Sequence, residues 1–140
     1  MHRVFVYGKL RKGFWWDLLL RDAEYLGPAR TRNRFALYRS AMPYVTTEEA
    51  VSPIVGDAYR VDDSTLHELD LFKGHPHWFQ RTEVAIVLEN RQGCLAWLYS
   101  HPRIGGELIE SGDYYPEKRS PVGCGAWGNT NESEVEGGAL

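Results

Sequence analysis

The segment Arg3-Val4-Phe5-Val6-Tyr7-Gly8-Lys9-Leu10-Arg11-Lys12-Gly13 decides how this chain is read. An apolar run of β-forming residues breaks at once on a glycine and two basic side chains. A buried first strand ends this way when it delivers a tight backbone turn to the mouth of a sheet or barrel. Glycine permits the φ values that such a reversal needs, and consecutive N–H groups of the turn can then face an oxygen-rich ligand. The segment is therefore expected to bind, with the turn at Gly8, Lys9 and Leu10 facing a cavity.

Composition bounds what surrounds this strand. At 140 residues, 43% hydrophobic and 25% charged, the chain suits one domain with a continuous core. A net charge of −3 argues against a general nucleic-acid binder. Apolar runs stay short of the roughly 18 residues that span a bilayer, and Met1-His2-Arg3 leads straight into the first strand, so no membrane partner and a cytoplasmic location are expected. Cys94 and Cys124 suggest two free thiols and no metal knuckle.

Strand signals dominate the rest. Asn33 to Tyr38 and Asp57 to Val61 alternate apolar with polar residues, and the loop from Met42 to Pro53 between them is long enough to border a site. Asp62-Asp63-Ser64 offers helix caps, and Thr65 and Glu68 have capping-box spacing. Leu66, Leu69 and Phe72 form one apolar face before Gly74 and Pro76 stop the helix. Gln80 to Glu89 and Cys94 to His101 read as a hairpin turning at Asn90-Arg91-Gln92-Gly93. Phe14 to Leu20 reads as a short aromatic helix or turn over the sheet. The domain is taken as residues 1–122. From Gly123 onward Gly, Asn, Glu and Ser prevail, so 123–140 is expected to be a flexible tail.

Three ordered motifs carry a resemblance. Tyr7-Gly8-Lys9-Leu10-Arg11, Gly56-Asp57-Ala58-Tyr59-Arg60-Val61, and Leu69 through Arg81 together resemble the γ-glutamylcyclotransferase-like family, especially its γ-glutamylamine cyclotransferase branch, over about residues 3–115. The resemblance implies an α+β fold, a mixed β-barrel with a few short helices, with a ligand cavity at the barrel mouth and no cofactor or metal. It also implies that Tyr7, Gly8, Lys9 and Leu10 contact a γ-glutamyl or 5-oxoproline group, with Trp78 and Phe79 as an apolar wall.

In that family a glutamate after the helix moves the proton from the attacking α-amine to the departing amine, while loop N–H groups stabilise the oxyanion. Here the position holds Lys73, and a family tyrosine is replaced by Phe79. A protonated lysine cannot accept that proton and repels an α-ammonium group, unless burial neutralises it. Glu68, Asp70 and Glu83 are the nearby carboxylates, each better read as a solvated, capping or strand-surface charge. His75-Pro76-His77 reads as a polar turn. Lys9, Arg11, Lys12 and Lys73 are candidates for a local basic mouth.

Two functions follow as expectations. One is cyclisation of γ-glutamyl amines to 5-oxoproline and free amine, impaired by Lys73 through natural or engineered loss of the acid. The other is a binder of a small anion, a carboxylate, phosphate or nucleotide, in the same cavity.

Overall fold

The first strand owes its unbroken apolar character to two cores that it separates. In the computed structural model, which describes residues 1–13 and 17–114, β1 (His2–Val6) sends Val4 and Val6 to one core and Phe5 to the other. All three are essentially inaccessible to solvent. Each such side chain contributes about 1.5–3 kcal/mol of burial free energy. Of the expected turn or helix at Phe14 to Leu20, the described part is a short 3₁₀ turn, Asp17–Leu20, and the tail 123–140 lies outside the described residues.

The remaining elements are β2 (Glu24–Thr31), β3 (Ala36–Arg39), β4 (Tyr44–Thr46), β5 (Val55–Val61), α1 (Asp63–Lys73), β6 (Gln80–Leu88), β7 (Gly93–Ser100) and β8 (Glu107–Leu108). They form one sheet in the order β1-β5-β2-β6-β7-β4-β3-β8. A parallel pairing at Val4 and Trp97 joins β1 to β7 and closes five strands into a barrel. Phe5, Ala29, Ala58, Val84, Ile86, Ala96 and Leu98, drawn from all five barrel strands, belong to one core cluster. Across β1, Val4 and Val6 cluster with Leu66 and Leu69 of α1, so the helix covers the barrel wall. Gly56 is required beside β1, because a Cβ there would lie 2.1 Å from the Val6 carbonyl oxygen.

Local signals set the ends of α1. The Asp62 carboxylate accepts a hydrogen bond from the Thr65 N–H at 2.8 Å, so Asp62 is the cap. This corrects the Thr65/Glu68 capping box: Thr65 is the donor that the cap satisfies. Gly74 ends the helix in the left-handed conformation, with φ 68°, and its N–H returns to the carbonyls of Asp70 and Leu71. Lys73 is thus the last helical residue, and it is held by both the helix and the turn that follows. Among the described residues no helix is long and apolar enough to cross a membrane.

Candidate functional site

Two chain reversals meet at the barrel mouth. The first follows β1, where Gly8, at φ 66°, opens a 3₁₀ turn over Gly8–Leu10. The Tyr7 hydroxyl donates to the Tyr99 carbonyl and accepts from the Val45 N–H at 3.2 Å, which ties the end of β1 to β7 and β4. The second reversal follows α1, where the Trp78 N–H donates to Gly74 O at 2.8 Å and the Phe79 N–H to Lys73 O at 3.1 Å. These bonds bring Lys73 and Trp78 to the same opening as the Tyr7–Leu10 loop.

Between them lies a cavity of about 300 Å³ lined by Tyr7, Lys9, Leu10, Met42, Lys73 and Trp78, with Ala41, Pro43 and Phe72 completing the wall. The loop from Met42, expected only to border a site, supplies part of this wall. Of the residues expected to bind, Tyr7, Lys9, Leu10 and Trp78 line the cavity with Lys73, whereas Gly8 and Phe79 are not among its lining residues. Gly8 shapes the turn, and Phe79, 2% exposed, lies in the core behind Lys73 with its ring against Trp78 and His101.

Lys73 is only 5% exposed. Its Nζ sits 4.4 Å from the centre of the Phe79 ring and 5.4 Å from that of Tyr7, where the π faces attract a cation. Removal from water favours the uncharged amine and draws its pKa down from 10.5 to about 8. Among the described residues no carboxylate forms an ion pair with it. Near neutrality the group is still mostly protonated, so it presents a cation with aromatic neighbours and room for a counter-ion.

The three carboxylates weighed from the sequence stay off the cavity wall. Glu68 and Glu83 are exposed. Asp70 accepts from the Tyr99 hydroxyl at 2.7 Å and faces the Arg81 guanidinium at 3.1 Å. His75 Nδ1 accepts from the Arg81 N–H at 3.0 Å, which makes it a brace of the turn between α1 and β6.

The basic mouth narrows as well. Arg11 pairs with Asp113 at 2.8 Å and Asp57 at 3.5 Å, and Lys12 lies 4.3 Å over the Tyr25 ring. Only Lys9 and Lys73 of the four line the cavity. Asp57, 4% exposed, accepts from the Lys12 N–H and the Tyr25 hydroxyl, each at 2.9 Å. This anchor for the loop had no assigned role in the sequence, although it sits in the middle motif. Its signal was a carboxylate between Gly56 and Ala58 in a strand of the barrel, and a buried carboxylate requires partners.

Similarity to known proteins follows the same segments. A family model described as gamma-glutamyl cyclotransferase, AIG2-like, matches residues 4–116. The chain is 44% identical over 115 residues to MJ1514 of Methanocaldococcus jannaschii, a protein that carries a gamma-glutamylcyclotransferase name; the match covers 81% of this chain and 96% of that one. Gamma-glutamylaminecyclotransferase C of Danio rerio is 31% identical over 101 residues, 66% of each chain. In three dimensions an aig2-like protein from Mus musculus superposes with a TM-score of 0.74 at 24% identity, covering 94% of this chain and 98% of that one.

Proposed function

The chain belongs to the gamma-glutamyl cyclotransferase, AIG2-like family, and from that premise we propose that its cavity receives a small γ-glutamyl or 5-oxoproline-type ligand whose carboxylate is held by Lys73. The carrying observation is the Lys73 ammonium, buried in the cavity wall without a described carboxylate beside it. A cavity of about 300 Å³ suits a small molecule and its water. Lys9 on the same wall favours an anion further.

Cyclisation of a γ-glutamyl amine requires the α-ammonium to lose a proton before it attacks its own side-chain carbonyl, and the departing amine to gain one. The protonated Lys73 side chain can donate but not accept. In this form the protein is a slow cyclotransferase and chiefly a binder of the carboxylate-bearing ligand. We place it in the cytoplasm, a compartment in which the free thiol of Cys94 stays reduced.

A second reading has one observation in its favour: the pKa of about 8 leaves a minor population of free amine able to act as the base itself. The experiment is to measure 5-oxoproline release from a γ-glutamyl amine, and affinity for 5-oxoproline, in degassed buffer for the wild type and Lys73→Glu. On the binder reading the substitution raises release and weakens 5-oxoproline binding by tenfold or more. Robust turnover by the wild type that falls in Lys73→Glu overturns the binder reading in favour of an amine base.

A further inference from the structure

Lys73 combines properties that carboxylate binding alone does not use. It lines a cavity whose other residues include Tyr7, Leu10, Met42, Phe72 and Trp78, so a residue only 5% exposed borders space that a small molecule can enter. No described acid holds it in the charged form. Burial therefore maintains, near neutrality, a free-amine population about two orders of magnitude above that of an exposed lysine. A neutral, desolvated amine is a nucleophile.

The electrophile that best fits such a wall is small, uncharged and weakly hydrated. We propose that the Lys73 amine takes up carbon dioxide as a carbamate, so that the cavity wall changes from a cation to a carboxylate. The Nζ lone pair attacks the carbon, an N–C bond forms, one C=O π pair moves onto oxygen, and an Nζ proton leaves to solvent. Nothing is oxidised or reduced. The addition brings three heavy atoms, for which a cavity of about 300 Å³ has space. The new anion shares that cavity with Lys9 and is not left in a purely apolar surrounding.

The carbamate itself needs no assumption about substrate. Its use does rest on the cyclotransferase reading: the added carboxylate is a proton acceptor of the kind that the unmodified wall lacks, placed where a substrate's α-ammonium group enters. Carbon dioxide then switches the site between a carboxylate-binding form and a form that accepts ammonium.

The test begins with the ¹⁵N-labelled protein equilibrated near pH 8 with ¹³C-bicarbonate. The expected ¹³C spectrum contains a carbamate resonance split by the bonded ¹⁵N that is lost in Lys73→Arg and Lys73→Met. Alkylative trapping followed by peptide mapping reads the same bond in the wild-type protein, without relying on a variant that folds. A trapped carbamate on Lys73 supports the proposal; Lys73 recovered unmodified, or a resonance that persists in both variants, overturns it. Release of 5-oxoproline is then measured with and without bicarbonate. Stimulation of up to about 10²-fold, scaled by occupancy and absent in Lys73→Glu, supports use of the carbamate as the base. A trapped carbamate with no stimulation upholds the modification and overturns its use as the base, whereas no release of 5-oxoproline from either the wild type or Lys73→Glu, with or without bicarbonate, overturns the cyclotransferase reading.

Discussion

The Lys73 nitrogen lies 4.4 Å from the centre of the Phe79 ring, at the position where α1 ends and the chain turns toward β6. The ring face offsets part of the cost of removing the charge from water, while burial draws the pKa down to about 8. That imbalance has a thermodynamic consequence. Below about pH 8 the lysine is protonated in both folded and unfolded chains, and its penalty does not vary with pH. Above about pH 8 the folded protein sheds the proton while the unfolded chain keeps it up to 10.5, so the unfolded state binds more protons and stability rises with pH.

Denaturant titrations should therefore show the wild type gaining stability from about pH 8 toward pH 10, beyond which tyrosines of the unfolded chain ionise and reverse the trend. Lys73→Met should be more stable than wild type by about 3 kcal/mol at neutral pH and lack this rise. Equal stability of the two proteins at pH 7, with parallel pH profiles, would show that the charge is well solvated in the folded state.

The same group sets the pH dependence of the site. If protonated Lys73 holds the ligand's carboxylate, affinity for 5-oxoproline should fall as pH rises through about 8. If the free amine is instead the catalytic base, kcat/KM for a γ-glutamyl amine should climb to a plateau across the same range. Calorimetry and product release, measured on one preparation, move in opposite directions with pH under the two readings.

Asp57 connects the cavity loop to the barrel. Its carboxylate accepts the Lys12 N–H and the Tyr25 hydroxyl and lies 3.5 Å from Arg11. Asp57→Ala should destabilise the fold by about 3 kcal/mol, because it leaves a half-buried guanidinium with less compensation and two donors without their acceptor. Asp57→Asn, which retains an acceptor oxygen, should cost less and should still weaken ligand binding as the loop loosens. Full retention of both stability and affinity in Asp57→Ala would assign the loop's order to other contacts.

What the sequence revealed divides by contact range. Asp62 and Gly74 specify the ends of α1 through bonds to residues within four positions, and the β6–β7 turn carries its own signal in Asn90, whose side-chain oxygen accepts from the Gln92 N–H at 2.8 Å. The α+β barrel was legible only through the resemblance carried by Tyr7–Arg11, Gly56–Val61 and Leu69–Arg81; the pairing that builds it, with Phe5 opposite Ala58 and Val6 opposite Asp57, is long-range and has no local signal. β2 was missed because Gly27 and Pro28 interrupt it. Partners on both edges, β5 and β6, hold it extended around a register shift at Tyr25/Gly27. β4 is three residues inside an apparent loop, defined by pairing with β3 and β7. The Ala41–Pro43 wall depends on that distant pairing, so the length of the loop from Met42 announced a border of the site but not the residues that form it.

Trp78 separates binding from stability. It lines the cavity while remaining 52% exposed, and its ring meets Phe79 edge-on at 5.5 Å. A side chain so exposed contributes little to the core, so Trp78→Ala should cost less than about 1 kcal/mol in denaturant unfolding. The same change removes an aromatic wall from the ligand and should weaken 5-oxoproline binding by about tenfold, equivalent to about 1.4 kcal/mol. Phe79→Ala provides the contrast: Phe79 is 2% exposed in the core and absent from the cavity wall, and its loss should cost about 3–5 kcal/mol. Unchanged affinity in Trp78→Ala together with a large loss of stability would place Trp78 in the scaffold and remove it from the ligand site.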